Sequence, residues 1–173
     1  MLRKVPAHRV VYEHGMSIGA SHKLTITHAK TEAPKVRTNG QDISVWLPLS
    51  MSHEHPAAQT AIRGAVKKAL TKEAKSYLPR RLRYIADEYG YDYEKVRFSN
   101  AKGRWGSCSS HGTISLNIAL MRLERELIDY VLVHELCHTV HMNHSPEFWD
   151  AVHAIVPDYK QIKRRLKQES PYL

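Results

Sequence analysis

No apolar run in this chain approaches the roughly 18 residues of a membrane-spanning helix, so a helical membrane protein is excluded. The opening MLRKVPAHRVVYEHG lacks the apolar core of a secretory signal, and the expected compartment is the cytoplasm. There are only two cysteines, Cys108 and Cys137, too few for a disulfide framework. Repeats, low-complexity tracts and interdomain linkers are missing as well. We therefore read residues 1–173 as one domain, with a β section over about 1–50 and a helical core over about 56–173. Acidic residues are scarce: 17 Asp and Glu stand against 26 Lys and Arg, giving a net charge of +9. That excess suits anionic partners such as nucleic acid, nucleotides or acidic peptides. Many of the basic residues nevertheless fall at the spacing of solvated helix faces. Neither a zinc ribbon nor a helix-turn-helix motif is present, which counts against dedicated DNA reading.

The first third of the chain is rich in β signals. HRVVYE at residues 8–13 reads as a short strand, residues 15–21 as a turn-rich connection, and the alternating 23–27 as a second strand. Val36 to Thr38 and Ile43 to Leu47 flank Asn39-Gly40, the strongest short hairpin signal. His53 and His55 fall in a polar loop and read as loop residues. Pro56 suits the first turn of a helix. Ala58, Ile62, Ala65, Val66, Ala69 and Leu70 recur at helical spacing, predicting a helix over 57–77. Pro79 predicts a kink or restart, after which Leu82, Ile85, Ala86 and Tyr89 continue the pattern to a stop at Gly90. The basic segment Lys67 to Arg83 reads as a solvated face. Residues 95–99, 104–108 and 113–116, separated by turn residues, predict a small antiparallel meander. Arg104 has two readings: its planar fork pairs with a substrate carboxylate or phosphate, or it makes a structural ion pair. Trp105 reads as core, and Asn117 as a cap for the following turn.

The stretch that carries chemistry is YVLVHELCHTVHMNHSPEFW, residues 130–149. Leu127, Ile128, Tyr130 to Val133, Leu136, Cys137 and Val140 make it apolar on nearly all sides, the mark of a buried helix. His134, Glu135 and His138 inside such a helix need partners, because unpaired buried polar groups cost several kcal/mol. A divalent metal is one such partner. His134 and His138 are four residues apart, on one helical face and roughly 6 Å apart along the axis, so both reach one ion. Glu135, about 100° round the helix, reaches a water on that ion rather than the ion itself. A catalytic zinc takes three protein ligands. In an unbroken helix His144 would lie about 15 Å beyond His134, too far to share the ion. The helix is therefore expected to end within 139–143 and turn back, with Asn143 suited to a left-handed stop. Ser145-Pro146 reads as the N-cap and first position of a new helix. Phe148 and Trp149 on that helix read as packing that fixes His144, and His153 as a weak candidate for a supporting role. Cys137 reads as a small apolar filler.

HELCH followed by NHSPEFW, with RWGSCSS at residues 104–110, resembles the YgjP-like metallopeptidases, a zincin family related to the SprT-like proteins. The resemblance is strong over about 96–159 and compatible with the N-terminal half. It implies an α+β, zincin-like fold: a small antiparallel sheet packed on helices that include the HExxH metal helix, with an N-terminal β section. It implies Zn2+ held by His134, His138 and His144, with Glu135 as general base, and a cleft near residues 104–109 in which an extended substrate pairs with an edge strand. The histidine spacing equals that of metzincins, HExxHxxGxxH, but His141 stands where those proteins have glycine.

Three functions compete at this point. The first is a metallopeptidase acting on extended or unfolded polypeptide by metal-assisted hydrolysis. The second is a metal-dependent phosphohydrolase of small phosphorylated substrates such as nucleoside triphosphates, suggested by the positive charge and Arg104. The third is a DNA-associated, SprT-like protease whose chemistry is conditional on nucleic acid.

Overall fold

Alternation sets the first sheet. In a computed structural model that describes residues 10–173, strands β1 (Ser17–Ile18), β2 (His22–Ala29), β3 (Lys35–Asn39) and β4 (Asp42–Pro48) pair in the order β1-β2-β4-β3. Leu24, Ile43, Val45 and Leu47 are fully buried, as period-two spacing requires of one covered face. The expected hairpin is β3–β4, with Thr38 opposite Ile43 and Gly40 in the left-handed region at φ 58°. Its second strand then lies parallel to β2, Leu24 beside Ile43.

The expected strand at 8–13 is absent from its described part. Residues 8 and 9 lie outside the described residues, and 10–13 join no sheet. The hydrogen bonds that a strand would have given to a neighbour go instead to side chains, chiefly those of Gln59 and Arg63. The Tyr12 N–H donates to Gln59 Oε1 at 3.0 Å, and its carbonyl accepts from Gln59 Nε2 at 2.9 Å.

Helix α1 (Pro56–Tyr89) contributes its first half to a compact unit over 8–73 and its second half to another over 74–172. It runs through Pro79 without the expected restart. A mid-helix proline costs about 3 kcal/mol. Leu78 and Leu82, one on each side of it, are fully buried, and each such side chain contributes about 1.5–3 kcal/mol. The carbonyl that proline leaves without its helical donor belongs to Lys75, an exposed residue. The apolar stripe therefore outweighs the proline.

The unit over 74–172 adds β5 (Lys95–Ser99), β6 (Gly106–Cys108), β7 (Thr113–Asn117), a 3₁₀ turn (Ile118–Arg122), and helices α2 (Arg125–Cys137), α3 (Pro146–Ile155) and α4 (Tyr159–Leu166). The α+β class is as expected, but the small sheet is mixed and not an antiparallel meander. Its order is β5-β7-β6, with β5 parallel and β6 antiparallel to β7. The tight turn at 109–112, closed by Gly112 at φ 72°, makes β6 and β7 the hairpin. The other edge of β7, whose Ile114 and Leu116 are fully buried, is left to β5. Strand β6 thus lies at an edge. Within this unit Arg81 grips Asp129 with two parallel hydrogen bonds, both 2.8 Å, tying α1 to α2.

Candidate metal centre

Helix α2 is buried along most of its length, including Tyr130 to Val133 and Glu135 to Cys137. It ends at Cys137 with His138 as its C-cap, earlier than the expected 139–143. The left-handed stop at Asn143 is also absent: no non-glycine residue among those described has a positive φ. The chain turns instead by tightening in the right-handed region. Thr139 N–H donates to the Leu136 carbonyl at 2.9 Å, Val140 N–H to that of Cys137 at 3.2 Å, and Thr139 Oγ1 to Leu136 at 2.7 Å. Ser145 then caps α3, with its side chain accepting from the Phe148 N–H and Pro146 in the first turn, as its sequence predicts.

This turn brings His144 back to the helix. The Nε2 atoms of His134, His138 and His144 form a triangle with all three sides 3.2 Å. Each ring nitrogen has either one proton or one lone pair in the ring plane, so three of them cannot satisfy one another. A tetrahedral site with bonds of about 2.0–2.1 Å separates its nitrogens by about 3.3–3.4 Å, and the triangle matches that spacing. His138 Nδ1 lies 3.0 Å from the His141 carbonyl, which fixes the proton on Nδ1 and leaves Nε2 as a lone pair. Burial, then the charges of His138, His144 and Lys163, pull the His134 pKa down to about 3, keeping that ring a neutral donor. The donor set therefore fits a divalent metal.

Aromatic packing orients the rings. Phe148 is stacked under His138 at 4.5 Å and 27°, and Trp149 against His144 at 5.6 Å and 21°. Tyr159 backs Trp149 at 5.2 Å. The packing role expected of Phe148 and Trp149 is what the geometry gives them. His153 reaches Tyr159 and none of the three histidines. His53 and His55 sit in the loop before α1, in the other unit.

Glu135, next to His134 on α2, is buried. Burial pushes its carboxyl up to about 8, opposed by the charge of Arg104. Its buried Oε2 has no hydrogen-bond partner among the described residues, and leaving such a group unanswered costs about 1–3 kcal/mol. Its Oε1 lies against Gly106 at the start of β6. A methyl group at residue 106 would meet Oε1 at 2.7 Å and Cγ at 2.8 Å. The sequence reading passed over this glycine; a glycine at a strand position marks close approach by another group. Gly106→Ala is expected to displace the Glu135 carboxylate. Turnover should fall about 100-fold while metal content is unchanged; assays of kcat and metal stoichiometry on the same preparation check both. Normal turnover would show that the carboxylate has room to move.

The loop leading to Gly106 is held by Asn117, which is wholly buried. Its Nδ2 donates to the carbonyls of Ala101 and Arg104 at 2.7 and 2.9 Å, and its Oδ1 accepts from the Ala119 N–H at 3.0 Å. Asn117 thus caps the 3₁₀ turn and also pins the approach to β6. Trp105 is half-buried rather than core, and Cys108 on β6 is a thiol pushed up to about 11, mainly by burial. Cys137 is buried, 3.5 Å from the Tyr91 hydroxyl.

Two solved structures resemble part of the chain. One is the metallopeptidase zymogen of Pyrococcus abyssi abylysin, 32% identical, covering 52% of this chain and 91% of that one with a TM-score of 0.48. The other is the metallopeptidase zymogen of Methanocaldococcus jannaschii jannalysin, 20% identical, covering 52% and 93% with a TM-score of 0.47. A comparison with curated proteins finds no match. The match that decides identity is to a family model, and it spans residues 3–169: the chain belongs to the YgjP-like family and is its metallopeptidase domain.

Proposed function

We propose that this metallopeptidase is a zinc enzyme in which His134, His138 and His144 hold the ion and Glu135 is the general base. The equal-sided triangle of ring nitrogens, with a buried carboxylate on the residue after His134, carries the reading. When bound, zinc lowers the pKa of a water to about 7 and polarises a carbonyl oxygen. Glu135 takes the proton of the attacking water on the oxygen that has no partner, and delivers it to the leaving amine. Burial favours the protonated carboxyl in between. Strand β6 is an edge strand, and its Gly106 backbone lies against Glu135. An extended polypeptide added to that edge brings its carbonyl to the carboxylate and needs no particular sequence to bind. Arg104 makes no ion pair among the described residues, which leaves its fork for substrate. No helix among the described residues is long and apolar enough to cross a membrane, and two unpaired cysteines support our placing the protein in the cytoplasm.

His144→Ala tests the ligand set. Metal content after desalting should fall from about one equivalent to under about 0.1, read by elemental analysis. A full equivalent would show that His144 is not a ligand. Mass spectrometry of products from unfolded protein and from nucleoside triphosphates, with and without single-stranded DNA, separates the three functions. Peptides are the expected products; release of phosphate in their place would overturn the peptidase reading.

A further inference from the structure

Two cations from separate elements border the metal centre, and neither is in an ion pair among the described residues. Arg104 is exposed, in the loop before β6, two residues from the Gly106 that touches Glu135. Its main chain is fixed by the buried Asn117, so its side chain leaves from a defined point beside the substrate edge. Lys163 comes from α4. Its Nζ lies 4.0 Å from the centre of the Trp149 ring, the ring stacked on His144. Its neighbour Arg165 is instead neutralised by Glu124 and Glu126 on the other side of the helix start. Cations without ion-pair partners beside a site for a divalent cation favour an incoming anion.

We propose that Arg104 and Lys163 select acidic polypeptide, binding carboxylates of the substrate on the two flanks of the scissile bond. This rests on the peptidase reading above and names its substrate class. The carboxylate comes from Asp or Glu side chains or from a chain terminus. The matching chemistry is bidentate for the planar guanidinium of Arg104 and a point charge for Lys163.

The test uses the metal-loaded full chain and matched peptides. One set carries Asp and Glu around the cleavage site with an amidated C-terminus. A second replaces them by Asn and Gln, and a third is the second with a free C-terminal carboxylate. Each is cleaved by wild type, Arg104→Gln, Lys163→Gln and, as the blank, Glu135→Gln. The expected ratio of kcat/KM, acidic over amide, is about five- to tenfold for wild type. It should fall towards one in each cation variant and shrink with added salt. A preference confined to the third set would assign the cations to a chain terminus. Equal rates for all sets, or cation variants that slow every peptide by the same factor, would overturn the proposal while leaving the peptidase intact. No Glu135-dependent cleavage of any set would overturn the peptidase reading and this one with it.

Discussion

Glu135→Gln is expected to lower turnover by about 10²–10⁴-fold, the usual contribution of a positioned general base, with metal content and fold unchanged. The substitution keeps the size and planarity of the side chain. It removes only the capacity to take a proton, because an amide oxygen is a far weaker base. The buried position makes the test sharp: Glu135 is on α2 between residues packed on every side, and its Oε1 is wedged against Gly106, so glutamine has little freedom to recruit a substitute base. Product formation by mass spectrometry, beside elemental analysis of the same sample, gives both readings. Turnover within about threefold of wild type would exclude Glu135 as the base whatever the metal content.

Glu73→Gln should have the largest effect on stability, about 3–5 kcal/mol, although it lies in the other unit. The Glu73 side chain is 7% exposed and that of His22 is 4% exposed. Glu73 accepts from the Ala20 N–H at 2.8 Å, the Ser21 N–H at 3.1 Å, the Ser21 hydroxyl at 2.8 Å and His22 Nδ1 at 2.5 Å. Burial by itself would raise the carboxyl's pKa, but the hydrogen bonds from Ala20, His22 and Ser21 prevail and hold it below the usual range. A group with a lowered folded pKa contributes its full stabilisation above its unfolded value, and loses it as pH falls through the folded one. Glutamine presents an amide N–H₂ where four donors converge. Thermal unfolding by circular dichroism should show a lower midpoint at pH 7, and a difference from wild type that narrows on acidification below about pH 4. Equal midpoints at pH 7 would show that the cluster adds nothing.

The site was legible in the sequence because its signals are local. His134 and His138 share a helical face by spacing alone, and Ser145-Pro146 marks the next helix in any context. Asn39-Gly40 declared its hairpin for the same reason. The failures are where a distant group decides. Nothing in the alternation of residues 95–99 and 113–117 says which edge of β7 each neighbour takes, so the parallel pairing of β5 was invisible. Pro79 is a helix breaker until Leu78 and Leu82 are known to be buried on both sides of it. The turn after His138 needed no left-handed Asn143, because hydrogen bonds back to Leu136 and Cys137 close it. Gly106 and Lys163 gain meaning only when tertiary packing sets them beside Glu135 and Trp149. The YgjP-like resemblance, resting on HELCH, NHSPEFW and RWGSCSS, agrees with the family match over residues 3–169.

The triangle of nitrogens comes entirely from the short segment between His134 and His144, closed by one turn. The groups proposed to meet substrate come from far along the chain: the β6 edge and Arg104 from before α2, Lys163 from α4. Bringing together ligands so close in sequence carries little loop-closure entropy, whereas assembling the flanks requires the sheet and α4 to be in place. Metal capture and substrate choice are thus separable inheritances of the chain. Drift at the β6 edge or along α4 can retune what is cleaved while the hydrolytic cassette passes unchanged.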